Sequence, residues 1–526
     1  MKRFLAAVLA ALMALTCFGC VAEDRPYVPS GGALESENGP VATEPQSHQE
    51  LTMAYYADRS MNPFQSNDFT NRALLSLLYQ GLFSVDRDYQ VIPVLCSRYQ
   101  ISRDMMTYTI YIEEDARFTD GTPVTVGDAL ASYQAAMSSA YYGGRFTHVD
   151  SVYAENNALV FRLSTPMEDL PMLLDVPIVK ADQTDRPVPL GSGPYVFNDA
   201  ITGAFLSRAM DWWCADRATL AVTAPSIALI TAQSPAHIRD EFQFYDLDLV
   251  CANPCSDLYA DYRCDFELWD CENGELIYLG CNVANREIFS TNALRSLLTF
   301  AIDRDTLTEK YYQGFARAVT LPASTYFPYY STGLAAKYEY DPDYFAQSLT
   351  TVSLPREKLK LLVNSDDTLR LQVAREIAAS LTAQGLPTVT AEAATGEYTQ
   401  RIRSGDYDLY LGCTRLSANM DLSAFFSQGG ALSYNGISSE NLYKLSLDAL
   451  ENHGNYYTLY QKVAQDGRII PLIFCSYAVY ATRGLLSDLT PARDNVFFYT
   501  IGKTAEDALM AVDYDAVENN GVGAVD

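Results

Sequence analysis

Histidine is the side chain best suited to proton transfer at neutral pH, so the histidines are the first candidates for catalysis. The chain has four, His48, His148, His237 and His453, and none lies in a recognisable catalytic motif. There is no HExxH sequence, no Gly-x-Ser-x-Gly sequence and no Ser–Lys nucleophile motif. Acidic residues are abundant, so a secreted glycosidase-like hydrolase with paired carboxylates stays open as an alternative. The residues favour a protein that is not an enzyme.

Cysteine could supply a nucleophile or metal ligands, and the chain has eleven. Without Cys17 and Cys20 there are nine, an odd number that cannot all pair internally. Cys251 and Cys255 begin a cluster of five, but their spacing differs from that of zinc knuckles and no histidine lies among them. We therefore expect no metal and no cofactor, and mostly buried thiols, with one or two disulfides left open.

The elements that must position any functional residue change in type along the chain. "LTMAYY" at 51–56 predicts a strand, and "NRALLSLLYQGLF" predicts a helix that stops at Gly81. Residues 87–190 contain short strands, including a hairpin with Asn156 and Asn157 at its turn. After residue 284 strands and helices alternate, which predicts a parallel sheet covered by helices and an α/β fold.

"FTDGTPVTVGDALASYQAAM", residues 118–137, combines several local signals without any chemical group. Asp120-Gly121 predicts a tight turn, and Thr125 with Asp128 three residues later predicts a capping box for the helix that follows. "LGSGPY" at 190–195 is neither a phosphate-binding loop nor a nucleophile elbow. Both stretches are therefore interpreted as scaffold.

The N-terminus has the pattern of an export signal. Lys2 and Arg3 precede an apolar run that ends in "LTCFGC", which is similar to the lipobox of bacterial lipoproteins. Residues 1–20 are thus predicted to be a lipoprotein signal, with Cys20 as the lipid-attachment site. Residues 21–48 are rich in Pro, Gly, Ser and Glu, which predicts a flexible tether. The protein is expected on the outer face of the cytoplasmic membrane.

The formal net charge of −28 limits the possible partners. An acidic surface repels phosphate backbones and anionic lipid head groups, so we expect no nucleic-acid binding and no membrane binding through the folded surface. We also expect a monomer.

Several stretches of the sequence, taken in order, resemble the landmarks of one protein family. They are "MNPF", "LLYQGLF", "FTDGTPVTVGDALASYQAAM", "LGSGPY", "LGCNVANREIFSTNALRSLLTFAIDRDTLTEKYYQG", "VAREIAASLTAQGL", "GDYDLYLGC" and "IIPLIF". The chain thus resembles the extracellular solute-binding proteins of family 5, which serve peptide, nickel and related ABC importers. The resemblance covers nearly all of residues 51–500.

The resemblance implies a two-lobed, periplasmic-binding-protein-like fold of type II with an extra subdomain. A discontinuous domain I would comprise 49–86, 191–283 and 478–526, domain II would be 87–190, and domain III would be 284–477. The implied function is to capture a peptide-like solute between the lobes and deliver it to ABC permease subunits in the membrane. A non-peptide solute such as a metal chelate or a sugar stays open, as does the hydrolase alternative.

One departure from the family pattern concerns the ligand. Peptide receptors of the family carry Trp-x-x-Asp after the strand that here reads "YDLYLG", and the Asp pairs with the peptide's amino group. Here Cys413 and Leu416 take those two positions. Either Asp421 substitutes for that Asp, or Arg415 clamps a carboxylate. We favour Asp421, because peptide-like solutes are the family's commonest cargo.

Five further residues are candidate ligand contacts: Trp212, Trp213, Asn282, Tyr55 and Gln80. Trp212 and Trp213 are expected to continue a strand, so at most one of them faces the cleft. Asn282 in "LGCNVAN" matches a recurring asparagine of the family and either binds ligand or caps the hinge.

Overall fold

The computed structural model describes residues 51–255, 262, 264–284, 287–354, 356–486, 489–502 and 504–511. The predicted signal, Cys20 and the tether 21–48 lie outside these residues. Within the described ranges, no helix combines the length and apolarity needed to cross a bilayer.

Within the described ranges, eighteen strands form three sheets. In chain order they are β1 (Leu51–Tyr55), β2 (Phe83–Val85), β3 (Val91–Pro93), β4 (Cys96–Ile101), β5 (Thr107–Ile112), β6 (Val149–Glu155), β7 (Ala158–Leu163), β8 (Tyr195–Ala200), β9 (Gly203–Arg208), β10 (Ser226–Thr231), β11 (Leu249–Ala252), β12 (Phe266–Cys281), β13 (Ala316–Ala318), β14 (Leu359–Asn364), β15 (Thr388–Ala393), β16 (Leu409–Arg415), β17 (Ile469–Thr482) and β18 (Leu509–Ala511).

The large sheet has eleven strands in the order β15-β14-β16-β12-β17-β11-β1-β10-β9-β8, with β13 also paired to β17. The parallel pairing predicted after residue 284 is found near one end, where β14 pairs with β15 and β16. In the other half, β1 also pairs in parallel with β10 and β11. The centre differs from the predicted parallel sheet, because β12 pairs antiparallel with both β16 and β17. Two long antiparallel strands can run through both halves of a sheet, whereas parallel neighbours need a crossover connection.

The long strands β12 and β17 therefore join the two halves of the large sheet. Their register shifts between Glu272 and Leu276, and Gly274 within this interval has a φ of 80°. Such a conformation favours glycine and is typical of a bulge that bends a strand. The bend brings the backbone of residues 273–274 towards the charged site described below.

The tetrapeptide Tyr-Leu-Gly-Cys occurs in both β12 and β16, and the two copies face each other. Tyr278 lies opposite Gly412, and Tyr410 lies opposite Gly280. A side chain on either glycine would overlap the ring of the facing tyrosine. The two rings meet edge to face, and the Tyr410 hydroxyl donates to the Tyr278 hydroxyl over 3.2 Å.

The small sheet has the order β18-β4-β5-β7-β6. The predicted hairpin is confirmed, because Asn156 and Asn157 connect β6 and β7 with φ values of 48° and 60°. The predicted capping box is also confirmed: Asp128 accepts from the Thr125 backbone N–H at 2.9 Å, and the Thr125 hydroxyl oxygen accepts from the Asp128 N–H at 3.3 Å. Strands β2 and β3 pair separately.

Helices cover the sheets. Those of eight or more residues are Phe69–Leu78, Val126–Ser138, Pro235–Gln243, Arg304–Tyr312, Pro342–Leu349, Thr368–Ala383, Thr395–Ser404, Glu440–Glu451 and Tyr456–Asp466. The shorter α-helices are Glu287–Ser290, Asn292–Arg295, Thr332–Ala335, Ser423–Phe426 and Ala505–Ala508, and the 3₁₀ helices are Gly143–Phe146, Leu170–Leu173, Ala181–Gln183, Leu298–Ala301, Ala336–Tyr338 and His453–Asn455.

Two helix predictions can be compared with these bounds. The helix Thr368–Ala383 buries the predicted face of Val373, Ile377, Ala378 and Leu381. The helix Phe69–Leu78 ends before Gly81, because Tyr79 already has an extended backbone. The predicted domain boundaries stay a prediction.

Candidate functional site

A group of buried and half-buried charges lies where five separate chain segments meet. We call this group the arginine cluster; it comprises Arg72, Arg145, Arg415 and Arg493 with Asp175 and Asp494. Arg72 lies on the helix Phe69–Leu78, and Arg415 ends β16. The remaining members come from the 3₁₀ helix Gly143–Phe146, from the loop after Leu173, and from the loop that follows β17.

Asp494 is the centre of the cluster. Its Oδ1 atom accepts from Nη2 of Arg145 at 2.8 Å and from Nη2 of Arg415 at 2.6 Å. Nε of Arg493 lies 3.4 Å from Oδ2 of the same carboxylate. Burial alone would raise the pKa of Asp494, but the three guanidinium groups outweigh it and hold the pKa well below its usual value.

The second carboxylate, Asp175, forms a buried ion pair with Nη1 of Arg145. Burial nevertheless raises the pKa of Asp175, because the neighbouring Asp494 opposes a second negative charge and Arg145 compensates only in part. The two aspartates thus share Arg145 but differ in the direction of their pKa shifts. Asp494 is the stronger permanent anion of the pair.

Tyrosines hold the edge of the cluster. The guanidinium carbon of Arg72 lies 3.3 Å from the ring centre of Tyr141, and that of Arg415 lies 4.8 Å from the same centre. Arg72 also donates from Nη2 to the hydroxyl of Tyr142 at 2.8 Å. Stacking on a ring positions a guanidinium group and leaves N–H groups available at its edge.

Two cavities adjoin the cluster. The larger, about 50 Å³, is lined by Arg72, Leu75, Ser76, Tyr79, Gln80, Gly81, Phe83, Ser84, Val85, Val94, Tyr142, Asp175, Pro177, Asp494, Asn495 and Tyr499. The smaller, about 10 Å³, is lined by Arg87, Tyr89, Asp270, Cys271, Glu272, Arg317, Tyr326, Ser476 and Arg493. Arg493 lines the smaller cavity, and its neighbour Asp494 lines the larger one. The cluster therefore lies between the two cavities.

Glu272 is the most perturbed carboxyl group of the smaller cavity. It is 4% exposed, and neither of its oxygens accepts a hydrogen bond of ordinary geometry. Burial raises its pKa to about 7, although the nearby Ser324 hydroxyl and the Arg317 guanidinium favour the ionised form. Glu272 is therefore only partly ionised at neutral pH.

Of the predicted ligand contacts, Arg415 belongs to the cluster and Asp421 does not. Asp421 accepts from the backbone N–H of Ser423 at 2.7 Å and from its hydroxyl at 2.8 Å. Its Oδ2 atom also lies 3.1 Å from Nε2 of His148. Leu416, at the position of the family's Asp, is buried, and its carbonyl oxygen accepts from Nη2 of Arg493.

Gln80 lines the larger cavity and connects to Trp213. Its Oε1 atom accepts from the Trp213 indole at 2.7 Å, and its Nε2 donates to the Tyr499 hydroxyl at 2.9 Å. Trp212 is buried, and its indole donates to the Ser192 carbonyl at 2.9 Å. The expectation that the tryptophans continue a strand is wrong, because β9 ends at Arg208 and both lie in the turns that follow.

Asn282 and Tyr55 lie away from both cavities. Asn282 is fully buried, and its Nδ2 donates to the carbonyls of Gly405 at 3.0 Å and Tyr407 at 2.9 Å. It thereby fastens the end of β12 to the loop that precedes β16. Tyr55 packs edge-on against Phe197 with ring centres 6.4 Å apart.

Sequence reasoning missed Arg72, Arg145, Asp175, Arg493 and Asp494. None of them lies in a motif; Arg493 and Asp494 are adjacent to each other, and the other three have no charged residue directly beside them. The one local signal is an arginine close to a tyrosine pair, as in "YYGGRF" at 141–146. That signal indicates a candidate residue but does not indicate which residues it contacts in the fold.

The cysteines supply no reactive group in the part of the chain that is described. All nine there are free thiols, and burial raises the pKa of eight of them, for example to about 12 for Cys214 and about 11 for Cys264. Thiols of this kind are poor nucleophiles at neutral pH. Across the same residues, no group of three or more His, Cys, Asp or Glu side chains is arranged to hold a metal ion.

Two His–Asp contacts connect the small-sheet region with the chain after β16. His148 pairs with Asp421, as described above. His453 places Nε2 3.3 Å from Oδ2 of Asp169 and Nδ1 3.3 Å from Oε2 of Glu168. The contacts are reciprocal, since each region contributes one histidine and one aspartate.

We expect the His453 contact to stabilise the fold below pH 6.5 and to weaken as the pH rises. Burial opposes protonation, but Asp169 and Glu168 outweigh it and raise the pKa of His453; the rings of Tyr329 and Tyr456 are its other neighbours. Because folding raises the pKa of His453, the stabilisation is complete below the pKa of the unfolded chain. It is lost as the pH rises through the pKa of the folded protein. His453→Gln should cost about 1.5 kcal/mol at pH 6 and less at pH 8.5, measured by thermal unfolding.

His237→Gln is the matched control for this experiment. His237 lies 3.2 Å from Glu241 on one exposed helix face, so its contribution should stay below about 0.5 kcal/mol. Equal pH dependence in the two variants would contradict the assigned role of His453.

Comparison with known families agrees with this architecture. The sequence profile described as "Bacterial extracellular solute-binding proteins, family 5 Middle" matches residues 90–432, well over half of the chain. The chain belongs to the bacterial extracellular solute-binding proteins of family 5. The family 5 match begins before the small sheet and ends beyond β16, so it includes Arg145, Asp175 and Arg415.

Solved structures show the same two-lobed fold. The ABC transporter substrate-binding protein CtaP from Listeria monocytogenes has a TM-score of 0.71 at 16% identity, covering 86% of this chain and 99% of its own. The oligopeptide-binding protein AppA from Bacillus subtilis, in complex with a nonapeptide, has a TM-score of 0.60 at 18% identity with the same coverage. The two-lobed fold predicted for family 5 is therefore confirmed.

Among curated relatives, the glutathione-binding protein GsiB from Escherichia coli (strain K12) is 31% identical over 87 residues. The alignment covers 16% of this chain and 17% of GsiB. The chain thus aligns with about a sixth of the length of this family 5 relative.

Proposed function

We propose that the chain is the substrate-binding component of an ABC importer. It captures a peptide-like solute between its lobes and delivers the solute to permease subunits in the membrane. The observation that carries this proposal is the family match over residues 90–432. Two of the similar proteins, an oligopeptide-binding protein in complex with a nonapeptide and a glutathione-binding protein, support a peptide-like cargo.

The chain has no catalytic activity in this proposal. Asp175 and Asp494 are both committed to ion pairs with Arg145. A glycosidase needs one carboxyl group free to protonate the leaving oxygen. The carboxylates of the arginine cluster therefore support binding over hydrolysis.

The protein acts outside the cell as a lipid-anchored monomer. The lipobox-like sequence before Cys20 and the composition of residues 21–48 support an anchor followed by a tether. The net charge of −28 supports the absence of a nucleic-acid partner.

The contacts at the cleft favour Arg415 over Asp421 as the ligand anchor. Both oxygens of Asp421 already interact with Ser423 or His148, so an incoming ammonium group would have to displace them. Arg415 donates from Nε to the Asn273 carbonyl at 2.8 Å and from Nη2 to Asp494. Its guanidinium group thus already binds one carboxylate, and a solute carboxylate has the same chemistry. This geometry reverses the preference drawn from the sequence.

Solute capture requires the lobes to separate first, since a tripeptide is several times larger than the cavity of about 50 Å³. We expect tripeptides such as Ala-Ala-Glu to raise the melting temperature of the purified full chain and to reduce its radius of gyration in small-angle scattering. Maltose and a nickel chelate serve as comparison solutes.

The same assay distinguishes Arg415 from Asp421 as the anchor for the solute. Arg415→Lys should weaken tripeptide binding tenfold or more, because an ammonium group cannot reproduce the planar guanidinium fork, and Asp421→Asn should have a smaller effect. Stabilisation by maltose or the chelate without any response to tripeptides would contradict a peptide-like cargo. A larger effect of Asp421→Asn would restore the amino-group anchor.

A further inference from the structure

We propose that the arginine cluster is a subsite for solutes that present two carboxylates. This inference rests on the proposed solute-binding function and names the chemistry of the solute. It is carried by an uncompensated charge, by unpaired donors on a buried arginine, and by the electrostatic character of the Leu416 position.

The charge of the cluster is not balanced. Four guanidinium groups face two carboxylates, which leaves two positive charges in a buried and half-buried group of a protein whose net charge is −28. The side chains of the smaller cavity do not correct this, because Arg87 and Arg317 there face Asp270 and Glu272, and Glu272 is only partly ionised at neutral pH. Buried charges are costly unless they are paired. A solute with two negative charges would complete the balance.

Arg493 has donors that no protein atom uses. Its side chain is 4% exposed, Nε lies 3.4 Å from Oδ2 of Asp494, and Nη2 donates to the Leu416 carbonyl. Within the described residues, Nη1 has no hydrogen-bond partner. The guanidinium group packs against Gly274 in the bulge of β12 and lines the smaller cavity. The two N–H groups of Nη1 are therefore available to an anionic oxygen. Arg493 is thus the member with the greatest unused capacity for an anion.

The position of Leu416 excludes the opposite ligand charge. An ammonium group placed where the family has its Asp would meet Arg493, which donates to the Leu416 carbonyl. Like charges in a buried site raise the free energy of binding strongly. The surroundings of Leu416 therefore favour the acidic end of a solute over an amino group.

Two sources can present two carboxylates: a peptide with an acidic C-terminal residue, or a free organic diacid. The test uses the purified full chain and isothermal titration with a charge ladder of probes. Ala-Ala-Glu has two carboxylates, Ala-Ala-Gln has one, and Ala-Ala-Gln amide has none. Glutarate represents the free diacid.

We expect the dissociation constant to rise at least tenfold for each carboxylate removed from the tripeptide. If glutarate bound and none of the tripeptides did, the result would support the two-carboxylate subsite and overturn the peptide-like cargo.

Equal dissociation constants for Ala-Ala-Glu and Ala-Ala-Gln would overturn this inference but not the proposed binding of peptides. No response to any tripeptide or to glutarate would overturn both the inference and the proposed cargo.

Arg493→Gln should abolish most of the preference for Ala-Ala-Glu over Ala-Ala-Gln. Arg239→Gln removes one positive charge from a surface pair with Asp240 and is the matched control, with no change expected in the preference. If Arg493→Gln does not fold, Arg493→Lys keeps the charge and loses the paired donors, and it should reduce the preference at least threefold. An unchanged preference in the folded Arg493 variant would overturn the assignment.

Discussion

Asp494→Asn is expected to lower the free energy of unfolding by about 3 kcal/mol. The asparagine keeps the size of the side chain but removes the negative charge that faces Arg145, Arg415 and Arg493. The three guanidinium groups then repel one another with only Asp175 as a counter-charge. Breaking one partner of a buried ion pair costs several times more than losing a surface pair. Chemical denaturation at pH 7 measures the change as a shift in the midpoint.

Asp406→Asn provides the comparison for this prediction. Asp406 also contacts two cations, Lys360 and Arg401, but its side chain is 54% exposed. Solvent screens those contacts, so the loss should stay below about 1 kcal/mol. Equal midpoint shifts in the two variants would contradict a central role for Asp494.

The effect of Asp494 on stability also has a defined dependence on pH. Its pKa is held well below the usual value, so its contribution is complete above the unfolded pKa of about 4 and is lost only as the pH falls through the folded value. The difference between the wild-type chain and Asp494→Asn should therefore persist at pH 5. If the difference disappeared between pH 7 and pH 5, the result would contradict a lowered pKa for Asp494.

Glu272→Gln is expected to have the opposite effect and to stabilise the protein at high pH. Burial raises the pKa of Glu272 to about 7 from 4.5, so the folded protein holds a proton that the unfolded chain releases. Stability from this group is complete below the unfolded pKa and is lost as the pH rises through about 7. A shift of this size corresponds to about 3 kcal/mol as an upper bound, and glutamine avoids the loss because it does not ionise.

The measurement for Glu272 is thermal unfolding at pH 4.5 and pH 8. The variant and the wild-type chain should have similar melting temperatures at pH 4.5, and the variant should melt higher at pH 8. Glu357→Gln, at an exposed position, removes a carboxylate of ordinary environment and should change neither value appreciably. A Glu272→Gln variant that is less stable at pH 8 would show that the carboxylate is instead an essential partner of the nearby arginines.

Local features were predictable because neighbouring residues decide them. The capping box of Thr125 and Asp128 and the Asn156-Asn157 hairpin need contacts only within a few residues, and both are confirmed. The apolar face of the helix Thr368–Ala383 follows from helical periodicity and is also confirmed. The order of the family landmarks further indicated the two-lobed fold and family 5.

Long-range pairing was not predictable in the same way. The reciprocal Tyr278–Gly412 and Tyr410–Gly280 contacts depend on an antiparallel pairing between strands more than a hundred residues apart. Strand periodicity indicates that a segment is extended, but register and direction depend on which neighbour it meets. The same reason explains why the parallel pairing predicted after residue 284 is confirmed for β14 and β15, whereas β16 and β17 also pair antiparallel with β12.

The sequence by itself determined the local elements, the acidic character, the likeness to family 5 and the unusual loop that contains Arg415. Only the tertiary structure brought Arg72, Arg145 and Asp494 together from distant parts of the chain. The tertiary structure also decided that Asp421 faces His148, while Arg415 faces Asp494. Charge interactions act through space and strengthen with burial, and neither distance nor burial is written in the spacing of residues along a chain.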